Sequence, residues 1–139
     1  MVMADLDTTP TLEDRITGVA EPAVLNYFIS LNAGNYHATA ALFSPDGVLN
    51  PPFEEPVVGR EAIATYLQSE ATGMQLHPHQ GSVVFLEETG AAVQVKGKVQ
   101  TSLFTVNVGW QFILNAQGEI NSVTINLLAS LEELLPLRR

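Results

Sequence analysis

The sequence contains no cysteine. Disulfides, thiolate nucleophiles and cysteine–zinc centres are therefore excluded. Positive charge is also scarce: 6 Lys and Arg stand against 15 Asp and Glu, a formal net charge of −9. Such a chain is unsuited to nucleic acid, whose binding depends on clustered cations that release counterions. It is equally unsuited to an anionic membrane surface. No apolar stretch approaches the roughly 20 residues of a membrane span. The opening "MVMADLDTTPTLEDR" lacks the basic flank and apolar run of a signal peptide. These absences predict a cytoplasmic protein without stable membrane insertion. Its partners are then neutral or apolar molecules, or basic proteins. Tryptophan occurs once, as Trp110.

What is present is apolar pattern. The 139 residues are 46% hydrophobic, enough for one domain with a real core and too few for two. Residues 1–17, rich in Asp, Thr and Pro, read as a mobile arm, which leaves 18–139 as a single domain. From Pro22, a residue suited to a first helical turn, Val24, Tyr27, Phe28 and Leu31 recur at helical spacing, and Gly34 marks the stop. "YHATAALFSPDG" predicts a second, short helix ended by Ser44, Pro45, Asp46 and Gly47. "VLNPPFEEPVV" reads as an edge strand or loop. "GREAIATYLQSEATG" reads as a third helix between Gly59 and Gly73.

After Gly73 the period changes to two. "GSVVFLEE" and "AAVQVKGKVQT" are predicted strands, with Val93, Val95 and Val99 of the second on one face. "TVNVGWQFILN" places Val106, Val108, Trp110, Phe112 and Leu114 on another single face. "INSVTINLLA" is the last strand, with Val123, Ile125 and Leu127 inward. "SLEELLPLRR" predicts a C-terminal helix capped by Ser130, with Glu133 at its third position. Helices followed by a run of antiparallel strands define an α+β domain, helices packed on one face of a strongly bent antiparallel sheet. That shape leaves a concave, mostly apolar pocket.

The ordered segments "VLNYF", "LNAGNY", "ALFSPDGVLNPPFEEPVVGREAI", "VKGKVQT", "NVGW" and "INLLASLEELL" resemble the nuclear transport factor 2-like superfamily. Within it they resemble the C-terminal domain homologues of the cyanobacterial orange carotenoid protein. The resemblance runs from about residue 20 to the end. It implies a carrier of a ketocarotenoid, canthaxanthin or echinenone. The loaded protein is then a homodimer that exchanges pigment with helical carotenoid proteins, and quenching of singlet oxygen is a second, photoprotective role. It also implies that Tyr27 and Trp110 donate hydrogen bonds to the pigment's keto oxygen. The chemistry is apt, because a keto oxygen only accepts, and phenol and indole donate without being ionised. Strand faces and matched segments together nominate Leu31, Met74, Leu76, Val99, Thr101, Phe104, Phe112, Ile125 and Leu127 as tunnel lining. By the same resemblance Glu70 is a docking charge. Leu103 stands where the family commonly has an aromatic, the loop before Trp110 is shorter, and Asn126 replaces an acidic residue.

Two other functions fit the residues. A protein-interaction or dimerisation module keeps the fold and carries nothing, with Tyr27 and Trp110 as ordinary core. An isomerase or dehydratase of the superfamily needs an Asp or His on the inward face, and none is predicted there, so no catalysis is expected. His77 and His79 in "LHPHQ" are a weak metal signal without a third ligand, and the stretch reads as a loop. His37 reads as half-exposed on a helix, and the pairs Glu54–Glu55 and Glu87–Glu88, in loops or at strand ends, read as solvated.

Overall fold

The computed structural model describes residues 16–86 and 90–128. The helix expected around Ser130 and Glu133, the Glu87–Glu88 pair, and all but the last two residues of the expected arm lie outside these. Helix α1, Pro22–Asn32, buries Val24, Tyr27, Phe28 and Leu31, the stripe expected from the sequence. Helix α2, Tyr36–Ala41, starts where the Asn35 side chain accepts a hydrogen bond from the Ala38 N–H at 3.2 Å. The hydroxyls of Ser30 and Thr39, 2.6 Å apart, tie the two helices together. Strands β1 (Phe43–Asn50) and β2 (Val57–Val58) precede helix α3 (Arg60–Glu70). Then come β3 (Gln75–Leu86), β4 (Gly90–Gln100), β5 (Thr105–Leu114) and β6 (Ile120–Leu128).

The six strands form one sheet in the order β2-β1-β6-β5-β4-β3. It is mixed rather than wholly antiparallel, because β1 runs parallel to β6. The expected turn Ser44–Gly47 is present in a different role. It lies inside β1, where pairing passes from Phe43↔Ile120 to Val48↔Ser122 and the turn residues bulge out of register. "LHPHQ" is also strand and not loop. Pro78, which has no N–H to give, is tolerated because β3 is an edge strand with a register shift between Pro78 and Gln80. Gly97 faces this proline, and a Cβ there would lie 2.2 Å from the His77 carbonyl oxygen, so only glycine admits the approach. The last two residues expected in the mobile arm are built into the fold. Ile16 is buried, and Thr17 N–H donates to the His79 carbonyl (3.2 Å) while its own carbonyl accepts from Gly81 N–H (2.8 Å).

The core lies between α1 and the inner face of the sheet. Val93, Val95, Val108, Trp110, Phe112 and Val123 are almost fully buried there. Each such side chain contributes about 1.5–3 kcal/mol by leaving water. Asn32 fixes the helix to the sheet, its amide donating to the Leu76 carbonyl and accepting from the Leu76 N–H, both at 2.8 Å. Among the described residues no helix is long and apolar enough to cross a membrane.

Candidate functional site

Beyond this core, α1, α3 and strands β4–β6 leave a cavity of about 280 Å³. Its buried end is an aromatic nest. The Phe28 ring stands edge-on to Trp110 with centroids 4.8 Å apart, and Tyr27 stands edge-on to Phe112 at 5.1 Å. Phe28 also meets Phe112 at 5.8 Å, so each of the two donor-bearing rings is braced by a phenylalanine. Perpendicular pairs of this kind are worth about 0.5–1.5 kcal/mol beyond their area and fix ring orientation. The i, i+1 pair Tyr27–Phe28 on α1 faces the alternating pair Trp110–Phe112 on β5. Local periodicity thus delivers all four rings to one place.

Tyr27 and Trp110 both line the cavity while being 1% and 2% exposed. Among the described residues neither the Tyr27 hydroxyl nor the Trp110 indole N–H has a hydrogen-bond partner. Burial pushes the Tyr27 phenol far above its ordinary pKa, with a smaller push from Tyr66. The hydroxyl therefore stays a neutral donor at any physiological pH. The rest of the wall is aliphatic or aromatic apart from Tyr66, Thr101 and Glu70.

Ten of the eleven side chains nominated from the sequence come together here: Tyr27, Leu31, Met74, Leu76, Val99, Thr101, Phe104, Trp110, Ile125 and Leu127 all line the cavity. Phe112 does not. It lies one inward position beyond Trp110, fully buried against Tyr27 and Phe28, and acts as a brace rather than as wall. Thr101 lines the mouth but spends its hydroxyl on the β4–β5 turn, accepting from the Leu103 and Phe104 N–H groups at 3.2 and 3.0 Å. Glu70, nominated as a docking charge, stands exposed at the rim. His77 lies on the exposed side of β3 with Nε2 3.3 Å from Gln100 Oε1, away from the cavity.

The sequence reading missed Leu49, Pro51, Pro52, Tyr66, Leu67, Ala71, Val106 and Val108 as lining. Four of these carried a signal. Val106 and Val108 share the inward parity of Trp110, and Leu67 and Ala71 continue the buried stripe of α3. Leu49, Pro51, Pro52 and Tyr66 carried none: Leu49 follows the register shift in β1, Pro51 and Pro52 face where the chain after β1 takes them, and Tyr66 sits at the edge of the α3 stripe.

Helices packed on one face of a curved, mixed sheet that stays open make this a fold of the nuclear transport factor 2-like type. The chain belongs to the SnoaL-like domain family, which matches residues 24–112. It is 39% identical to the orange carotenoid-binding protein of Synechocystis over an alignment of 142 positions. That alignment takes in 99% of this chain and 45% of the relative, corresponding to its C-terminal domain. The structure superposes on the orange carotenoid protein of Fremyella diplosiphon with a TM-score of 0.81 and 36% identity, covering 92% of this chain and 40% of that one. A second match is the orange carotenoid protein of an Anabaena (Nostoc) species solved with canthaxanthin. There the TM-score is 0.79 and the identity 40%, over 88% of this chain and 41% of that one. The chain thus spans less than half the length of these relatives.

Proposed function

We propose that this protein binds a ketocarotenoid, canthaxanthin or echinenone, as a carrier rather than as an enzyme. The observation that carries the reading is the pair of donors, Tyr27 Oη and Trp110 Nε1, without partners among the described residues at the closed end of an apolar cavity. A terminal ring whose keto oxygen accepts from both satisfies them at once, and leaving that oxygen unpaired costs about 1–3 kcal/mol. The ionisable groups on the wall also speak against general-base chemistry. Glu70 is exposed at the rim, and Tyr27 and Tyr66 are held protonated. The likeness to proteins named for carotenoid binding supports the same ligand class.

At about 280 Å³ the cavity is at the small end of ligand sites and holds one end ring with the start of the polyene. The remaining polyene emerges past Phe104 and Leu127, beside Leu103, all of them exposed. Covering it favours a second copy of the chain or a helical carotenoid protein as donor or acceptor. Any quenching of singlet oxygen belongs to the pigment and not to side chains.

The test is to express the chain in cells that make canthaxanthin and to purify it by size exclusion. A visible band co-eluting with a dimer is expected. A colourless protein that also refuses added ketocarotenoid sinks the reading and leaves a ligand-free interaction module.

A further inference from the structure

One wall of the cavity mouth is unlike the rest. Pro51 and Pro52 line the cavity, and the chain then turns sharply outward. Phe53 sits at φ 63°, the left-handed region that β-turns reserve for glycine after a proline. Its ring is 92% exposed, so its own side chain does not hold this conformation in place. The described contact that holds the segment is made by Tyr66, whose hydroxyl donates to Glu54 Oε2 at 3.1 Å. Tyr66 belongs to α3 and is anchored there by its buried neighbour Leu67. It is also the one described residue that lines both the apolar cavity and the open groove beside it, which is formed by Phe53, Glu54, Glu55, Pro56 and Val57. The Tyr66 ring is thus the partition between the ligand cavity and solvent on that side.

We infer that Pro51–Pro56 is a strap across the cavity mouth, fastened by the Tyr66–Glu54 hydrogen bond, and that this fastening controls how fast molecules reach and leave Trp110. The strap is buried at Pro51, exposed from Phe53 to Pro56, strained at Phe53 and, among the described residues, fastened there by one exposed hydrogen bond, so its outer part belongs to the low-stability end of the fold. Releasing the bond frees the strap to relax and the Tyr66 ring to swing toward the groove. Pro51 and Pro52 then withdraw from the wall. The deep donors do not move, because α1 and β5 hold them separately. The strap therefore sets rates more than affinity.

The tryptophan that lines the cavity is the only one in the chain, so its fluorescence reports access directly. The experiment is acrylamide quenching of the ligand-free protein and of three variants. Tyr66→Phe and Glu54→Ala are expected to raise the quenching constant at least twofold. Glu54→Gln keeps a carbonyl acceptor for the Tyr66 hydroxyl and is expected to stay at the wild-type value. Unchanged quenching in both of the first two variants, with native circular dichroism, overturns the strap. A second arm adds canthaxanthin from micelles, and this arm rests on the carotenoid reading. Uptake and release should both accelerate about threefold in Glu54→Ala, a residue outside the cavity wall, with equal pigment bound at saturation. Less bound pigment at unchanged rates also overturns the inference, because the segment then shapes the wall and does not gate it. If the wild type takes up no pigment while quenching still responds to the variants, the carrier reading falls and the strap stands.

Discussion

The two ends of the cavity are built on opposite principles. At the closed end, four aromatic rings from α1 and β5 lock one another edge-on and are almost wholly buried. At the mouth, Leu103 is 86% and Phe104 56% exposed, and the wall is made by a turn and a strained loop. Under the proposed carrier function the contrast separates two tasks. Orientation of a polar group needs donors that cannot move, and only dense packing supplies that. Entry of a long apolar molecule needs a rim that can move, and elements with few buried contacts supply that.

Phe112→Ala should break the comparison most severely. The ring is fully buried and braces both Tyr27 and Phe28, so its loss should cost about 3–5 kcal/mol in urea unfolding. A cost below about 1 kcal/mol would mean that the nest is not rigid. Trp110→Phe should cost about 1–2 kcal/mol, since most of the ring packing survives. It should also blue-shift and loosen bound ketocarotenoid, and an unchanged absorption spectrum refutes the hydrogen bond. Tyr27→Phe sharpens the point. If the hydroxyl is reserved for ligand, its removal should change the stability of the empty protein by less than about 0.5 kcal/mol, yet shift the pigment's colour. A loss above about 1.5 kcal/mol would show that the hydroxyl serves the fold instead. At the mouth, Leu103→Ser should alter stability by no more than about 0.5 kcal/mol, while pigment bound by this variant leaves faster.

The phenols distinguish the two ends by pH. Burial, the hydrogen bond to Glu54 and the nearby charges of Glu54 and Glu70 push the Tyr66 pKa up to about 12. Burial pushes Tyr27 higher still. In the unfolded chain both release their protons near pH 10. Their neutral forms are favoured by folding, so the associated stability is fully present below about pH 10 and declines as pH rises through about 12. Absorbance at 295 nm should show Tyr66 ionising near pH 12 in the folded protein, with Tyr27 silent until the fold opens. Early ionisation of Tyr27 would place it in contact with water.

Much of this was legible in the residues. The stripe Val24, Tyr27, Phe28 and Leu31, and the single-face run from Val106 to Leu114, announce which side chains go inward. Side-chain direction along one helix or strand is a local property of backbone geometry, so periodicity reveals it. Together with the segments matched to the family, that is why ten of the eleven nominated residues meet in one cavity. How far inward a residue lies was not legible. Phe112 shares the parity of Trp110 but serves as brace, because α1 lies over that part of β5 and the cavity begins one step farther along.

The sequence by itself determined most of the elements and their apolar faces, which follow from spacing within one segment, while the donor roles of Tyr27 and Trp110 were implied by the family resemblance alone. Tertiary structure alone decided three things. It put β1 parallel to β6, so that Ser44–Gly47 became a bulge inside a strand. It laid "LHPHQ" along an open edge where Pro78 is tolerated. It also brought Glu54 to Tyr66, 12 residues away, to fasten the mouth. These depend on contacts between segments whose relative placement is set by the packing of the whole sheet, and no local pattern encodes them.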